Sequence, residues 1–310
     1  MLIQKADQAL AIRALKNAAP YIRLYKGRTF VVKAGGGVFG DMALTRTLIE
    51  QIGILHYFGV RVVMVHGGGP QLTEISQSLG VETRMVQGRR VTDERAIEVS
   101  AMVLNGLIKT RILAICRELA IDAVGVSGLD AGLVRAHRRP PVRVDEIGET
   151  VDFGFVGDID GIDPTVIRKL LDNGLMPVVS PLSADANGVL LNINADTVAA
   201  EVAAALGAEK LILCTGTHGI LERLDDPGSL ISYTDLAGLE RLRREGRIAD
   251  GMLPKAKAIE SALRGGVKRV HVVSYKAPEG ILGEVFTNEG TGTLIVADVN
   301  ALSAAEQASG

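Results

Sequence analysis

The chain contains no tryptophan, and its 5 tyrosines and 6 phenylalanines amount to 4% of 310 residues. Its 47% hydrophobic content is nevertheless high enough to exclude wholesale disorder. Cysteine is as scarce, with Cys116 in an apolar helical pattern and Cys214 at the end of an apolar strand run. Two such thiols exclude a secreted disulfide framework and read better as small buried residues than as a metal pair. Charge of one sign is missing too: 34 basic against 36 acidic residues leave a net charge of −2. No global field draws the chain to nucleic acid or an anionic membrane, although local anion sites stay open. No stretch is expected to approach the ~20 apolar residues of a membrane helix. The opening "MLIQKADQALAIRALKNAAPYIRLYKG" lacks the apolar centre of a secretion signal, so a cytoplasmic location is expected. Internal repeats and low-complexity linkers are absent as well, which excludes solenoids and collagen-like chains.

What is present is alternation. Short β-branched runs, "TFVVKAG" and "VRVVMVHGG", alternate with helical patterns over residues 42 to 58, Gln71 to Leu79 and Asp93 to Leu119. A hairpin-like middle follows, from "DAVGVSGLDAGLVRAHRR" through "PVRVDEIG" to "ETVDFGFVGDI". A second series then has strands "LMPVVSPL", "KLILCTG", "VKRVHVVS" and "GTLIV". Such repetition predicts an α/β fold, a mostly parallel sheet layered between helices, with anion sites at the carboxyl ends of the strands. A soft boundary falls between Ser180 and Asn192, with a sheet free to run across it. The expected division is a helix over residues 1 to 24, one lobe over 25 to 185 and another over 186 to 310. In the first helix Leu10, Ile12, Leu15 and Ala18 recur near helical spacing until Pro20 is expected to end the pattern. That helix either packs on its own domain or serves as an arm for a neighbouring subunit.

Gly35, Gly37 and Gly40 form a GxGxxG directly after a strand, the dinucleotide pattern. The next strand, however, ends in Val65 and His66, with no acid to hold a ribose. No GxxxxGK[ST] loop occurs, which disfavours P-loop nucleotidases. There remain Lys33 at one strand end and "HGGGP" at the next, where successive glycine N–H groups can converge on an anion beside a point charge. Each loop alone is equally well a tight strand-to-helix turn. Further on, Arg89 and Arg90 could clamp a carboxylate or form surface ion pairs. Asp196 could cap the helix "TVAAEVAAAL", and Lys255 after Pro254 could be a solvated first-turn lysine. The residues by themselves reach an anion-handling α/β protein.

In order, "VVKAGGGVF", "VMVHGGGPQL", "GRRVTD", "LNINADTVAAEVAAALGAEKLILCT" and "GMLPKAKAIESALRGGVKRVHVV" resemble the motifs of acetylglutamate kinases of the amino-acid kinase family, over about residues 20 to 297. The resemblance implies a three-layer αβα fold and phosphorylation of N-acetyl-L-glutamate by MgATP in arginine biosynthesis, with ATP and Mg²⁺ as the groups required. It implies that Lys33 and Lys255 contact phosphoryl oxygens and that Asp196 orients the two ammonium groups. Gly36, Gly68 and Gly69 would offer backbone donors, Arg90 would bind the α-carboxylate, and Asn192 would recognise the acylated nitrogen. The first lobe would hold the amino acid and the second the nucleotide. The metal ligands are left unassigned.

Some positions depart from the pattern. The first loop reads "KAGGGVF" where relatives have "KYGGNAM", Gly216 stands where Asp is common, and "YKAPEG" replaces a segment nearer "DGR". Leu129 stands where Lys is usual, as in kinases of a carrier-protein-linked aminoadipate or glutamate, which form the alternative enzyme reading. A non-catalytic amino-acid sensor is the alternative of another class, and Lys33, Asp196 and Lys255 argue against it. The resemblance extends to arginine-inhibited members through "LKNAAPYIRLYKGRTFVVK" and "GEVFTNEGTGTLI". It implies a homo-oligomer, dimer or hexamer, and an arginine effector site at His271, Glu284 and Gly292.

Overall fold

The computed structural model of the chain describes residues 5–86, 89–144, 148–223, 226, 228–248, 251–287 and 290–301. Gly88 and Asp250 of the quoted motifs, residues 145–147 of the middle segment and residues 288–289 lie outside the described residues. Helix α1 (Lys5–Tyr25) leads to β1 (Thr29–Ala34), a 3-10 turn (Gly36–Gly40), α2 (Met42–Tyr57), β2 (Arg61–His66) and α3 (Gly69–Ser78). The hairpin of β3 (Arg84–Val86) and β4 (Arg89–Val91) precedes α4 (Glu94–Ala101), which continues through a π-helical segment (Met102–Ile108) into α5 (Lys109–Glu118). The middle holds β5 (Ala123–Ser127), β6 (Val134–Arg138), β7 (Val142–Val144), β8 (Glu149–Val151) and β9 (Gly157–Ile162). Next come α6 (Thr165–Asp172), β10 (Met176–Ser180), β11 (Leu182–Ala184), β12 (Leu190–Asn192) and α7 (Ala195–Leu206). The remainder is β13 (Lys210–Thr215), β14 (Tyr233–Asp235), α8 (Leu236–Arg244), α9 (Met252–Arg264), β15 (Arg269–Ser274), α10 (Gly280–Phe286) and β16 (Thr293–Val296).

Eight strands form one sheet in the order β14-β16-β15-β13-β1-β2-β10-β5, parallel except between β15 and β16. It runs unbroken across the segment Ser180 to Asn192, because β1 pairs with β13 on one side and β2 on the other. Its central strands are apolar on both faces, as a doubly covered parallel sheet requires. Phe30, Val32 and Ala34 face one core with Leu48, Ile52 and Ile112, whereas Val31, Val63 and Leu211 face the other with Val198, Val202 and Ile259. Helices therefore cover both faces, giving the expected three layers. The period-2 alternation also puts Lys33 on the Val31 side, under α7. A smaller sheet, β12-β11-β6-β9, flanks the rim near the carboxyl ends of the main strands.

Two expectations need correcting. Pro20 does not end the first helix; it lies inside α1. The turn beyond it is held by side chains, with Tyr21 edge-on to Phe286 and Tyr25 edge-on to Phe30 at 5.1 Å. That packing offsets the hydrogen bond a proline forfeits. Further up the helix Leu10, Ile12 and Leu15 are 68%, 57% and 58% exposed, so the apolar stripe of α1 finds no partner among the described residues. Second, the helical run Glu94–Glu118 is long and apolar enough to cross a membrane by length and composition. Its Ile97, Leu104, Ile108, Ile112 and Ile115 are buried within the protein instead.

Candidate active site

Strand β1 ends at a run of three glycines and β2 at another, and the two loops touch. A Cβ on Gly36 would lie 2.8 Å from Gly69 N and 2.9 Å from Gly68 Cα, so no side chain fits there. A Cβ on Gly68 would fall 2.4 Å from Ile108 Cδ1 and 2.9 Å from Leu104 Cδ2, both from the π-helical segment. Gly69 has open space around it and meets no such constraint. Gln71 ties the loops together by donating its Nε2 hydrogen to Gly36 O at 2.9 Å. Behind them His66 is fully buried against Phe39. Burial pushes its pKa down to about 4, so the ring is neutral at pH 7.

Across from these loops lies the amino end of α7. Asn194, not Asp196, caps it: Asn194 Oδ1 accepts from Asp196 N at 2.8 Å and from Thr197 N at 3.2 Å. The carboxylate of Asp196 is thereby left for other work. One oxygen lies 2.8 Å from Lys33 Nζ and the other 3.4 Å from Lys255 Nζ. Lys33 and Asp196 are 4% and 5% exposed, so this ion pair is shielded from water. Burial works against ionisation of Asp196, but the charges of Lys33 and Lys255 outweigh it and hold the carboxyl below its usual range. Lys255 sits in the first turn of α9, mostly buried rather than solvated. Its own pKa is lowered by burial, with Asp196 pulling the other way.

Arg90 approaches from the β3–β4 hairpin. Its guanidinium donates to Thr83 Oγ1 at 2.9 Å, Thr73 Oγ1 at 2.7 Å and Gly69 O at 3.2 Å. Neither Arg89 nor Arg90 forms an ion pair among the described residues. Asp93, at the end of the same motif, caps α4 through Ala96 N at 2.8 Å. Asn192 ends β12, and its backbone N–H is fixed by Phe155 O at 2.8 Å. The side-chain amide of Asn192 makes no hydrogen bond to any described residue.

Lys33, Gly36, Gly68, Gly69, Arg90, Asn192, Asp196 and Lys255 all line one cavity of about 570 Å³. Gln71, Thr73, Thr83 and Asn194 carry no sequence signal as a set, because each acts by bracing a neighbour in space. Arg139 and Asp158, which also line the cavity, pair by contacts of 3.0 and 3.1 Å from Arg139 Nε.

His271, Glu284 and Gly292 come together elsewhere, in a cavity of about 240 Å³ that also takes in Tyr21, Tyr25 and Lys210. His271 Nδ1 donates to Glu284 Oε1 at 2.7 Å, and Lys210 Nζ lies 3.1 Å from His271 Nε2. The second Glu284 oxygen accepts from Thr291 N at 2.6 Å and Gly292 N at 3.0 Å. Burial pushes the Lys210 ammonium down to about 7 and the His271 imidazolium to about 4.

A sheet with two glycine loops and a pair of lysines bridged by a buried aspartate defines a class of protein that handles a highly charged phosphoryl group at the carboxyl ends of parallel strands. The chain belongs to the amino acid kinase family, whose family model matches residues 28–274. Within that family it is similar to the acetylglutamate kinase of Myxococcus xanthus (strain DK1622), 46% identical over 91% of this chain and 93% of the relative. It is likewise similar to the acetylglutamate kinase of Archaeoglobus fulgidus, 42% identical over 92% of this chain and 98% of the relative. Among solved structures, N-acetylglutamate synthase from Neisseria gonorrhoeae complexed with coenzyme A and L-arginine superposes with a TM-score of 0.81 at 26% identity. That match covers 93% of this chain but 65% of the synthase, so the chain spans just under two thirds of that protein's length.

Proposed function

We propose that this chain is a kinase that transfers the γ-phosphoryl group of ATP to the side-chain carboxylate of N-acetyl-L-glutamate, forming N-acetyl-L-glutamyl 5-phosphate and ADP for arginine biosynthesis. The observation that carries this reading is the Lys33–Asp196–Lys255 bridge facing the two glycine loops. A carboxylate oxygen attacks the γ-phosphorus, and the bond to the β,γ-bridging oxygen breaks with its electron pair leaving on ADP. The acceptor is already ionised at pH 7, so no side chain has to remove a proton. What the protein supplies is alignment and charge cancellation. Lys33 and Lys255, held apart by one carboxylate, face the transferring oxygens. N–H groups of Gly36, Gly68 and Gly69 converge beside them. Arg90 takes the α-carboxylate, and Asn192 takes the acylated nitrogen.

Among the described residues no group of three His, Cys, Asp or Glu side chains could hold a metal ion, and Asp196 already serves two ammonium groups. The residues do not fit a resident metal, so Mg²⁺ enters as part of the MgATP substrate. In this reading residues 25 to 185 hold most of the acceptor site and residues 186 to 310 the nucleotide, in a cytoplasmic homo-oligomer. The cavity around His271, Glu284 and Gly292 takes free L-arginine as an effector, supported by the carboxylate and the aromatic walls gathered there.

ATP turnover by the purified chain with N-acetylglutamate, glutamate and aspartate tests the assignment. A site that satisfies an acylated nitrogen leaves polar groups mismatched when a charged amine enters. N-acetylglutamate should therefore give much the largest kcat/KM. Equal values for glutamate and its acetylated form, or turnover only with a carrier-linked acceptor, would overturn it.

A further inference from the structure

Two positions that depart from the family pattern meet in space. Gly216 follows β13 and Tyr275 follows β15, and Tyr275 N donates to Thr215 O at 2.9 Å. From there the phenol reaches back across β13 to the loop after β1. A Cβ on Gly216 would lie 3.1 Å from Tyr275 Oη, and a Cβ on Gly37 only 2.5 Å from it. Neither glycine has a positive φ, so what both supply here is space. The ring is half-buried against the core under β1, yet its hydroxyl makes no hydrogen bond to any described residue.

Its position fixes what it can meet. In the sheet order β15-β13-β1-β2, Lys33 at the end of β1 stands in the middle. The acceptor side, with Gly68, Gly69 and Arg90, lies beyond β2. The backbone of Tyr275 follows β15, on the opposite side beyond β13, and the residue does not line the cavity that Arg90 and Asn192 share. With the acceptor on the β2 side, the proposed kinase reaction leaves that side of Lys33 to the phosphoryl donor.

We infer that Tyr275 is a nucleotide-binding residue, whose Oη donates a hydrogen bond to the polyphosphate of the bound nucleoside triphosphate over Gly37. A phenolic O–H suits this role, since it gives a charge-assisted hydrogen bond to a phosphate oxygen without adding a negative charge. Gly216 belongs to the same device. An aspartate there would press a Cβ and a carboxylate against the phenol, so Gly216 and Tyr275 form a coupled pair. The inference rests on the kinase reading and assigns a donor-side contact within it.

Steady-state kinetics and calorimetric titration of ADP without acceptor, on the full chain and its Tyr275→Phe and Gly216→Asp variants, provide the test. Loss of one hydrogen bond to a charged group should raise KM for MgATP and Kd for ADP about tenfold in Tyr275→Phe. KM for N-acetylglutamate and the melting temperature should stay near the wild-type values. Gly216→Asp should weaken ADP at least as much, and adding Tyr275→Phe to it should cost less than in the wild-type background. Unchanged nucleotide constants in Tyr275→Phe, or an equal rise in the acceptor KM, would overturn the inference while leaving the kinase assignment standing. ADP binding that weakens as expected in a protein that phosphorylates no acylated amino acid would support the contact and sink the acceptor assignment instead. A wild-type chain that binds no ADP would overturn both.

Discussion

The Lys33 ammonium lies 2.8 Å from Oδ1 of Asp196, so a residue at the end of β1 and one in the first turn of α7 share a single buried ion pair. Lys255 closes the group from α9. One carboxylate thus spaces two ammonium groups that would otherwise repel each other.

Replacing Lys33 or Lys255 by Ala should lower kcat by ~100-fold or more, because each faces charge that develops as the phosphoryl group moves. Folding should survive in both variants, with Lys33→Ala the less stable, since it strips Asp196 of its closer partner. Near-normal turnover in both, with circular dichroism intact, would reject the site.

Asn194→Ala removes the cap of α7 and should cost about 1 kcal/mol in denaturant unfolding. It should also lower kcat, because the turn that aims Asp196 loosens. Asp196→Asn should instead lose activity with no loss of a cap. If Asp196→Asn destabilises as a cap deletion does and Asn194→Ala leaves stability unchanged, the assignment of the cap is wrong.

Arg90 is held by two threonines and a carbonyl rather than by an acid, which leaves its charge uncompensated for a ligand. Arg90→Lys should raise the KM for N-acetylglutamate by ~10-fold or more, because a lysine loses the planar fork that matches a carboxylate. Thr73→Val should raise it less, by loosening the guanidinium. The KM for MgATP is the control, and a larger change there would contradict the placement.

Lys210 carries a definite pH signature. Burial, reinforced by the nearby Arg269 guanidinium, brings its folded pKa down to about 7, whereas an unfolded lysine keeps its proton to about pH 10.4. Between these values the unfolded chain binds more protons, so stability should rise with pH across that window. Below pH 7 both states are protonated, and the cost of the buried charge is present in full. The free energy of unfolding should increase more steeply from pH 7 to 9 in the wild type than in Lys210→Met. Parallel slopes would refute the shift.

The exposed apolar stripe of α1 predicts an assembly role. Deleting residues 1 to 20 should reduce the subunit number seen by light scattering, from about six toward two, and arginine should inhibit the intact chain more than the truncated one. A dimer in both forms, unaffected by millimolar arginine, would defeat the regulatory reading and leave catalysis untouched.

Sequence by itself determined the layering and the parallel sheet, because doubly buried strands must read as unbroken apolar runs and the glycine runs mark where each strand turns into a helix. Lys33, Asp196 and Lys255 were legible as candidates because their motifs stand in family order. Local chemistry nevertheless left Asp196 equally suited to capping and Lys255 to solvent. Only the tertiary structure decided between those roles, since Asn194 takes the cap and α9 brings Lys255 against a carboxylate distant in the chain. Pro20 shows the same division: the local rule ends a helix there, and the contact of Tyr21 with the distant Phe286, joined by that of Tyr25 with Phe30 at the start of β1, overrides it. The bracing of Arg90 by Thr73 and Thr83, and the seat that Gly37 and Gly216 make for Tyr275, have no periodicity to announce them. They exist only where separate strand ends and loops converge, and contacts between distant segments of a chain are set by packing.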